Sequence, residues 1–179
     1  CACLVGSEMC IRDRDYRKLA SEVGEAGCSF CPAVYHGKRR AENFKSQQII
    51  GLDFDNGVPF HIIQQRAKYY HLKMLFAYKT FSHTAEHERF RVVFALQHKI
   101  TDSFTAKSIV SIFMKIFENC DEACKDSARL FFGGKGLLHL ASKPHEISLG
   151  EIILAFTAYM FDKYGSCLLY TSPSPRDMR

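Results

Sequence analysis

The stretch "QQIIGLDFDNG", residues 47–57, decides how the chain is read. A short apolar run, bounded by polar residues and stopped by Asn56, Gly57 and Pro59, suits a central β-strand. Side chains alternate along a strand, so Asp53 and Asp55 project to the same side at its end. Downstream, "FHIIQQRAKYYHL" (60–72) has helical spacing. "KMLFAYKTF" (73–81) and "RFRVVFALQ" (89–97) are rich in aromatic and β-branched residues and read as strands, joined by the polar loop "SHTAEHE". "TDSFTAKSIVSIFMKIF" (101–117) reads as a helix capped by Thr101 or Asp102, and "ARLFFGG" (128–134) as a short strand ending in a glycine turn. Helices are also expected over 15–27 and 148–164, the latter apolar enough to want a further packing neighbour. The order β-α-β-β-α-β predicts an α+β domain, with an antiparallel or mixed sheet and helices packed on one face.

The two ends read differently from the middle. "CLLYTSPSPRD" (167–177) can be encoded by bases whose reverse complement encodes "LVGSEMCIRD" (4–13). Residues 1–14 and 166–179 therefore read as translated sequencing adapter and are set aside from fold reasoning. The expected domain is 15–165, a fragment of a longer protein.

Within 15–165 there are 20 basic and 16 acidic residues, a net charge of +4. So mild a surplus permits nucleic-acid contact without requiring it. Four cysteines remain, Cys28, Cys31, Cys120 and Cys124, and without a secretion signal they suit a reducing cytoplasm. No apolar stretch approaches the roughly 20 residues of a membrane span.

Two carboxylates sharing one face are costly unless a cation offsets them, and hard oxygen donors suit Mg²⁺ or Mn²⁺. Read alone, the pair is equally a turn former, because "DNG" is a loop signal. Asp126, just before "ARLFFGG", offers a third acid with Arg129 nearby; by itself it reads as a surface residue. His83 lies between strands and can donate to a phosphate, although such a histidine is more often an ordinary loop residue. Alternation places Arg89 and Arg91 on one face of the following strand. "CSFC" and "CDEAC" offer four thiolates for zinc, at a separation wider than the usual signature. The basic run at 38–40 reads as a solvated loop.

Taken together, "GLDFDNG", "TFSHT" and "CKDSARLFFGG" resemble the motifs of the archaeo-eukaryotic primase superfamily, in particular the primase-polymerase domains of phage and plasmid replication proteins. The likeness runs from residue 43 to 134. It implies an RRM-like catalytic core in which Asp53, Asp55 and Asp126 coordinate Mg²⁺ or Mn²⁺ and His83 contacts the phosphates of the incoming nucleotide. Ser82, Arg91 and Arg129 are further candidates for nucleotide contact; Ser82 stands one place nearer the histidine than the family pattern has it. The resemblance further implies two-metal nucleotidyl transfer to a 3′-hydroxyl. Its partners would be a single-stranded DNA template, nucleoside triphosphates and a helicase domain in the same polypeptide, inside a bacterial or phage-infected cell.

Two other readings use the same residues. A phosphatase of the haloacid dehalogenase type also opens on an aspartate pair, but needs a parallel sheet with a later lysine and acids. An RRM-like single-strand-binding module fits the element order and needs aromatics on the sheet face instead of converging acids.

Overall fold

The computed structural model describes residues 16–165; the adapter-like stretches 1–14 and 166–179 lie outside the described residues. The elements follow in the order α1 (Tyr16–Gly24), β1 (Ala33–Tyr35), β2 (Phe44–Phe54), α2 (Phe60–Tyr69), β3 (Phe76–Thr80) and β4 (Phe90–Ile100). Then come α3 (Ser103–Phe117), β5 (Gly134–Leu140), β6 (Glu146–Ile147) and α4 (Leu149–Tyr164). One six-stranded sheet runs β1-β2-β4-β3-β5, with β6 added in parallel to β4 and all other pairings antiparallel. The α+β class and the mixed sheet are as the sequence predicts.

Period-2 alternation builds the core. Ile50, Leu52 and Phe54 of β2 sit opposite Phe94, Val92 and Phe90 of β4, all fully buried. Phe94 meets Phe113 and Phe117 of α3 at 5.0 and 5.1 Å between ring centroids, and Phe60 of α2 meets Phe90 at 5.1 Å. Asp102 caps α3 by accepting the Thr105 N–H, and Ser148 with Glu151 forms a capping box at the start of α4. Ile152, Ala155 and Tyr159 of α4 are buried, while Leu149, Ile153, Leu154 and Phe161 face solvent.

The opposite face carries Asp53, Arg91 and Tyr78, which are successive partners across β2, β4 and β3. Helix α1 packs on this face, with Gly24 against Tyr78 and Leu137. The expectation of helices on one face is therefore corrected. The Gly24 position explains it: a Cβ there would lie 2.5 Å from a Leu137 methyl carbon, so the helix seats directly on the sheet.

A second correction concerns "ARLFFGG". Residues 128–133 form no strand beyond a single bridge of Phe131 to Phe30, and the strand begins at Gly134. The segment crosses the sheet face instead of extending it, because Phe131 stacks on Phe30 at 5.4 Å and covers Gly51. Gly133 presses on the Gly27 backbone so closely that any Cβ would overlap it. The crossing carries β5 to the far side of β3, while the flank of β2 is taken by β1.

Since Phe94 joins β4 to α3, Phe94→Ala is expected to cost about 3–5 kcal/mol. Urea melts would show this as a lower midpoint at unchanged slope.

Candidate active site

The end of β2 brings Asp53 into the sheet face at 4% exposure. A buried carboxylate requires compensation. Asp53 Oδ2 accepts from Arg91 at 2.9 Å and from Arg129 at 2.7 Å. Arg91 stands opposite Asp53 on β4, and Arg129 arrives on the crossing segment. Both guanidiniums lie over the Phe131 ring, at 5.8 and 5.3 Å from its centroid. That ring needs the space left by Gly51, where a methyl group would lie 3.0 Å from Phe131 Cζ.

Arg129 also pairs with Asp121 at 2.7 Å. The Asp121 backbone N–H donates to the Asp53 carbonyl at 2.9 Å, and the Asp53 N–H donates to Cys124 Sγ at 3.3 Å. Residues 121–124 thus cover the edge of β2 beyond its pairing with β1. The Ala123 backbone N–H and, after it, Arg129 hold the Asp121 carboxyl below its usual range despite partial burial. Sequence reasoning passed over Asp121; its signal was its place eight residues before Arg129 at the opening of a capped turn.

Asp55 is exposed, and its carboxylate makes no hydrogen bond or ion pair to another described residue. Its position is fixed through the backbone, for His87 Nε2 donates to the Asp55 carbonyl at 2.8 Å. Gly57 follows with φ of 81°, and a Cβ there would lie 2.8 Å from His87 Nδ1, so glycine is required twice over. Glu88 accepts the Phe60 N–H at 2.8 Å, at the start of α2. The 81–88 loop is therefore tied to the turn after Asp55 at two points.

His83 sits in that loop with Nδ1 3.1 Å from both the N and the O of Arg89. The Arg89 carbonyl is already served by the Thr80 N–H, whereas the Arg89 N–H has no other acceptor among the described residues. Nδ1 is thus the acceptor and Nε2 carries the proton, directed away from this contact. Lys135 holds the loop by donating to the carbonyls of Phe81 and His83. Ser82 turns back toward Thr80, with 3.3 Å between the hydroxyls. Arg89 Nε and Arg91 Nε are buried without an acceptor among the described residues.

Asp126 is exposed, and its carboxylate accepts the Ala128 N–H at 2.9 Å. Among the described residues no group of three or more His, Cys, Asp and Glu side chains is arranged to hold a metal ion. Asp53, Asp55 and Asp126 are therefore not brought together as a set of three, and the four cysteines form no zinc group either; burial pushes the Cys120 and Cys124 thiols up to about 12 and about 11. The donor chemistry at Asp53 and Asp55 fits Mg²⁺ or Mn²⁺, since both are hard carboxylates at one strand end and both arginine hydrogen bonds fall on Asp53 Oδ2. A parallel sheet, as the phosphatase reading needs, is absent around β2, whose neighbours are both antiparallel.

A family model described as the VapE N-terminal domain matches residues 14–134, more than half of the chain and all of these side chains except Lys135. The chain belongs to the VapE N-terminal domain family. Among solved structures, the AEP domain of the cyanophage S-2L primase-polymerase is similar, with a TM-score of 0.52 and 11% identity over 69% of this chain and 68% of that one. No curated protein matches the chain. The structural likeness establishes for this VapE-family domain a fold of the primase-polymerase kind. Among the described residues no helix is long and apolar enough to cross a membrane.

The depressed pKa of Asp121 predicts a pH signature. Its contribution is present above the unfolded value of about 3.9 and is lost as pH falls through the lower folded value. Asp121→Asn is therefore expected to be less stable than the parent at pH 7, with the deficit shrinking as pH falls below about 3.9, read from paired urea melts. A deficit independent of pH would contradict the Asp121–Arg129 pairing.

Proposed function

We propose that this domain is a template-directed nucleotidyltransferase, a primase or polymerase that adds nucleotides to a 3′-hydroxyl. The observation that carries the reading is the arrangement at the end of β2. Asp53 lies between Arg91 and Arg129, with Asp55 exposed two residues on and the loop of His83 tied alongside. Asp53 and Asp55 would hold Mg²⁺ or Mn²⁺, with Asp126 as the third acid that the family resemblance assigns. Bound there, the ion would neutralise charge on the attacking and leaving oxygens.

The chain's own groups serve the triphosphate and the strand. His83 Nε2–H is a donor suited to a phosphate oxygen, and its ring is oriented by the Arg89 N–H. Arg91 and Arg129 are shared with a carboxylate in this structure, and the acceptorless Nε–H groups of Arg89 and Arg91 favour an anion arriving beside them. Phe81 and Phe132, exposed at 63% and 61%, flank the site and offer stacking surfaces for bases. In the transfer, the 3′-oxygen bonds to the α-phosphorus, the bond to the bridging oxygen breaks, pyrophosphate leaves and the hydroxyl proton passes to solvent. Template contact through cationic side chains would be insensitive to sequence and weakened by salt.

The test is nucleotide incorporation on a primed single-stranded template with Mn²⁺ or Mg²⁺. Because the Asp55 carboxylate supports no described contact, Asp55→Ala should melt within about 0.5 kcal/mol of the parent. It should nonetheless lose incorporation by at least 100-fold, and Asp126→Ala, which also gives up the Ala128 N–H contact, should lose incorporation to the same extent. Full incorporation by folded Asp55→Ala would sink the proposal. A folded parent that incorporates nothing would favour the single-strand-binding reading, which the engagement of Asp53 by two arginines also suits.

A further inference from the structure

A cavity of about 620 Å³ opens between the C-terminal end of α2, the approach to β3 and the end of β5. Its floor is apolar, formed by Ala67, Leu72, Met74 and Ala141. Lys68, Lys73 and Lys143 stand on its rim with His71 and His139, and no carboxylate lines it. In a chain with 24 basic and 19 acidic residues, that local imbalance favours an anion. The volume lies within the range of small-molecule sites, where an apolar floor takes a ring and a few placed polar groups fix orientation.

Two observations show that the walls are built. His71 holds φ of 56° directly after α2, where the Leu72 N–H reaches the Ala67 carbonyl at 2.9 Å and the His71 N–H reaches that of Lys68 at 3.2 Å. This helix ending usually takes glycine, so an imidazole is kept there at a cost in backbone strain. On the other wall, the Tyr16 hydroxyl lies 3.1 Å from the carbonyls of Ala141 and Ser142, and Arg17 donates to Ser142 at 3.2 Å. Those contacts fix the chain ahead of Lys143 and add a fourth cation beside the cavity.

The place matters as much as the charge. β3 runs toward the Asp53 end of β2, so the start of β3 and the end of β5 lie at the other end of these two strands. Met74 stands four positions before Tyr78, the β3 residue in line with Asp53, or about 13 Å along an extended chain. We propose that the cavity is a second anion site, distinct from the Asp53 site, which takes the phosphate and base of one nucleotide unit. The unit is either a free nucleotide or part of a nucleic-acid strand.

The site can be tested on the whole chain in EDTA, so that the outcome does not depend on metal binding or activity at Asp53. Fluorescence anisotropy would follow a labelled, 5′-phosphorylated ten-nucleotide oligo(dT) and its displacement by ATP. The lysine pair is exposed, so Lys73→Glu with Lys143→Glu should keep the fold while weakening binding at least tenfold. His71→Gly, at a φ that glycine accepts, should also fold and should weaken binding several-fold. In the parent, bound oligonucleotide should protect Lys73 and Lys143 from acetylation. Displacement by ATP assigns a free nucleotide; displacement by unlabelled oligonucleotide alone assigns a unit within a strand. Unchanged affinity in both variants, or protection confined to Lys135 beside His83, would overturn the proposal.

Discussion

A carboxylate buried at the end of a strand, with one oxygen shared by two guanidiniums, is the constraint on which the rest of this structure depends. At 4% exposure the Asp53 carboxylate needs compensating partners, and it finds them in Arg91 and Arg129, which lie 38 and 76 residues away in sequence. Removing one partner of such a pair strands the other charge, at a typical cost of about 3–5 kcal/mol. The surrounding residues serve that arrangement. Gly51 leaves room for Phe131, the Phe131 ring underlies both arginines, and Asp121 takes the second side of Arg129.

Much of this is written locally. The strand bearing Asp53 and Asp55 ends where Asn56 and Gly57 stop it, and helical spacing marks α2, α3 and α4. Arg91 is legible because alternation puts it with Arg89 on one face of its strand, and Arg129 because it stands three residues after Asp126 in a strand-like run. What escaped is nonlocal. Residues 128–134 have strand composition, but the fit of Phe131 over Gly51 and of Gly133 against Gly27 turns them across the sheet, and no local period encodes that. Asp121 escaped for the same reason, since its importance comes from meeting Arg129 in space. The short strands β1 and β6 carry too few residues for a period to declare itself.

The family match and the structural likeness agree with the topology and leave the chemistry to the residues. At one end of the sheet stand carboxylates, paired arginines and a histidine with a free N–H. Beyond the start of β3 stand lysines around an apolar floor, with no carboxylate lining it. A sheet bearing both would present two separated sites to a phosphate-bearing ligand, the first suited to chemistry and the second to holding.

The most direct measurement is a crystal structure with Mn²⁺ and a non-hydrolysable nucleoside triphosphate, using the manganese anomalous signal. The account predicts a peak between the carboxylates of Asp53 and Asp55, with Arg91 or Arg129 transferred from Asp53 to the phosphates and His83 Nε2 on a phosphate oxygen. Nucleotide bound elsewhere, with no peak at Asp53 and both arginines still on its carboxylate, would contradict it.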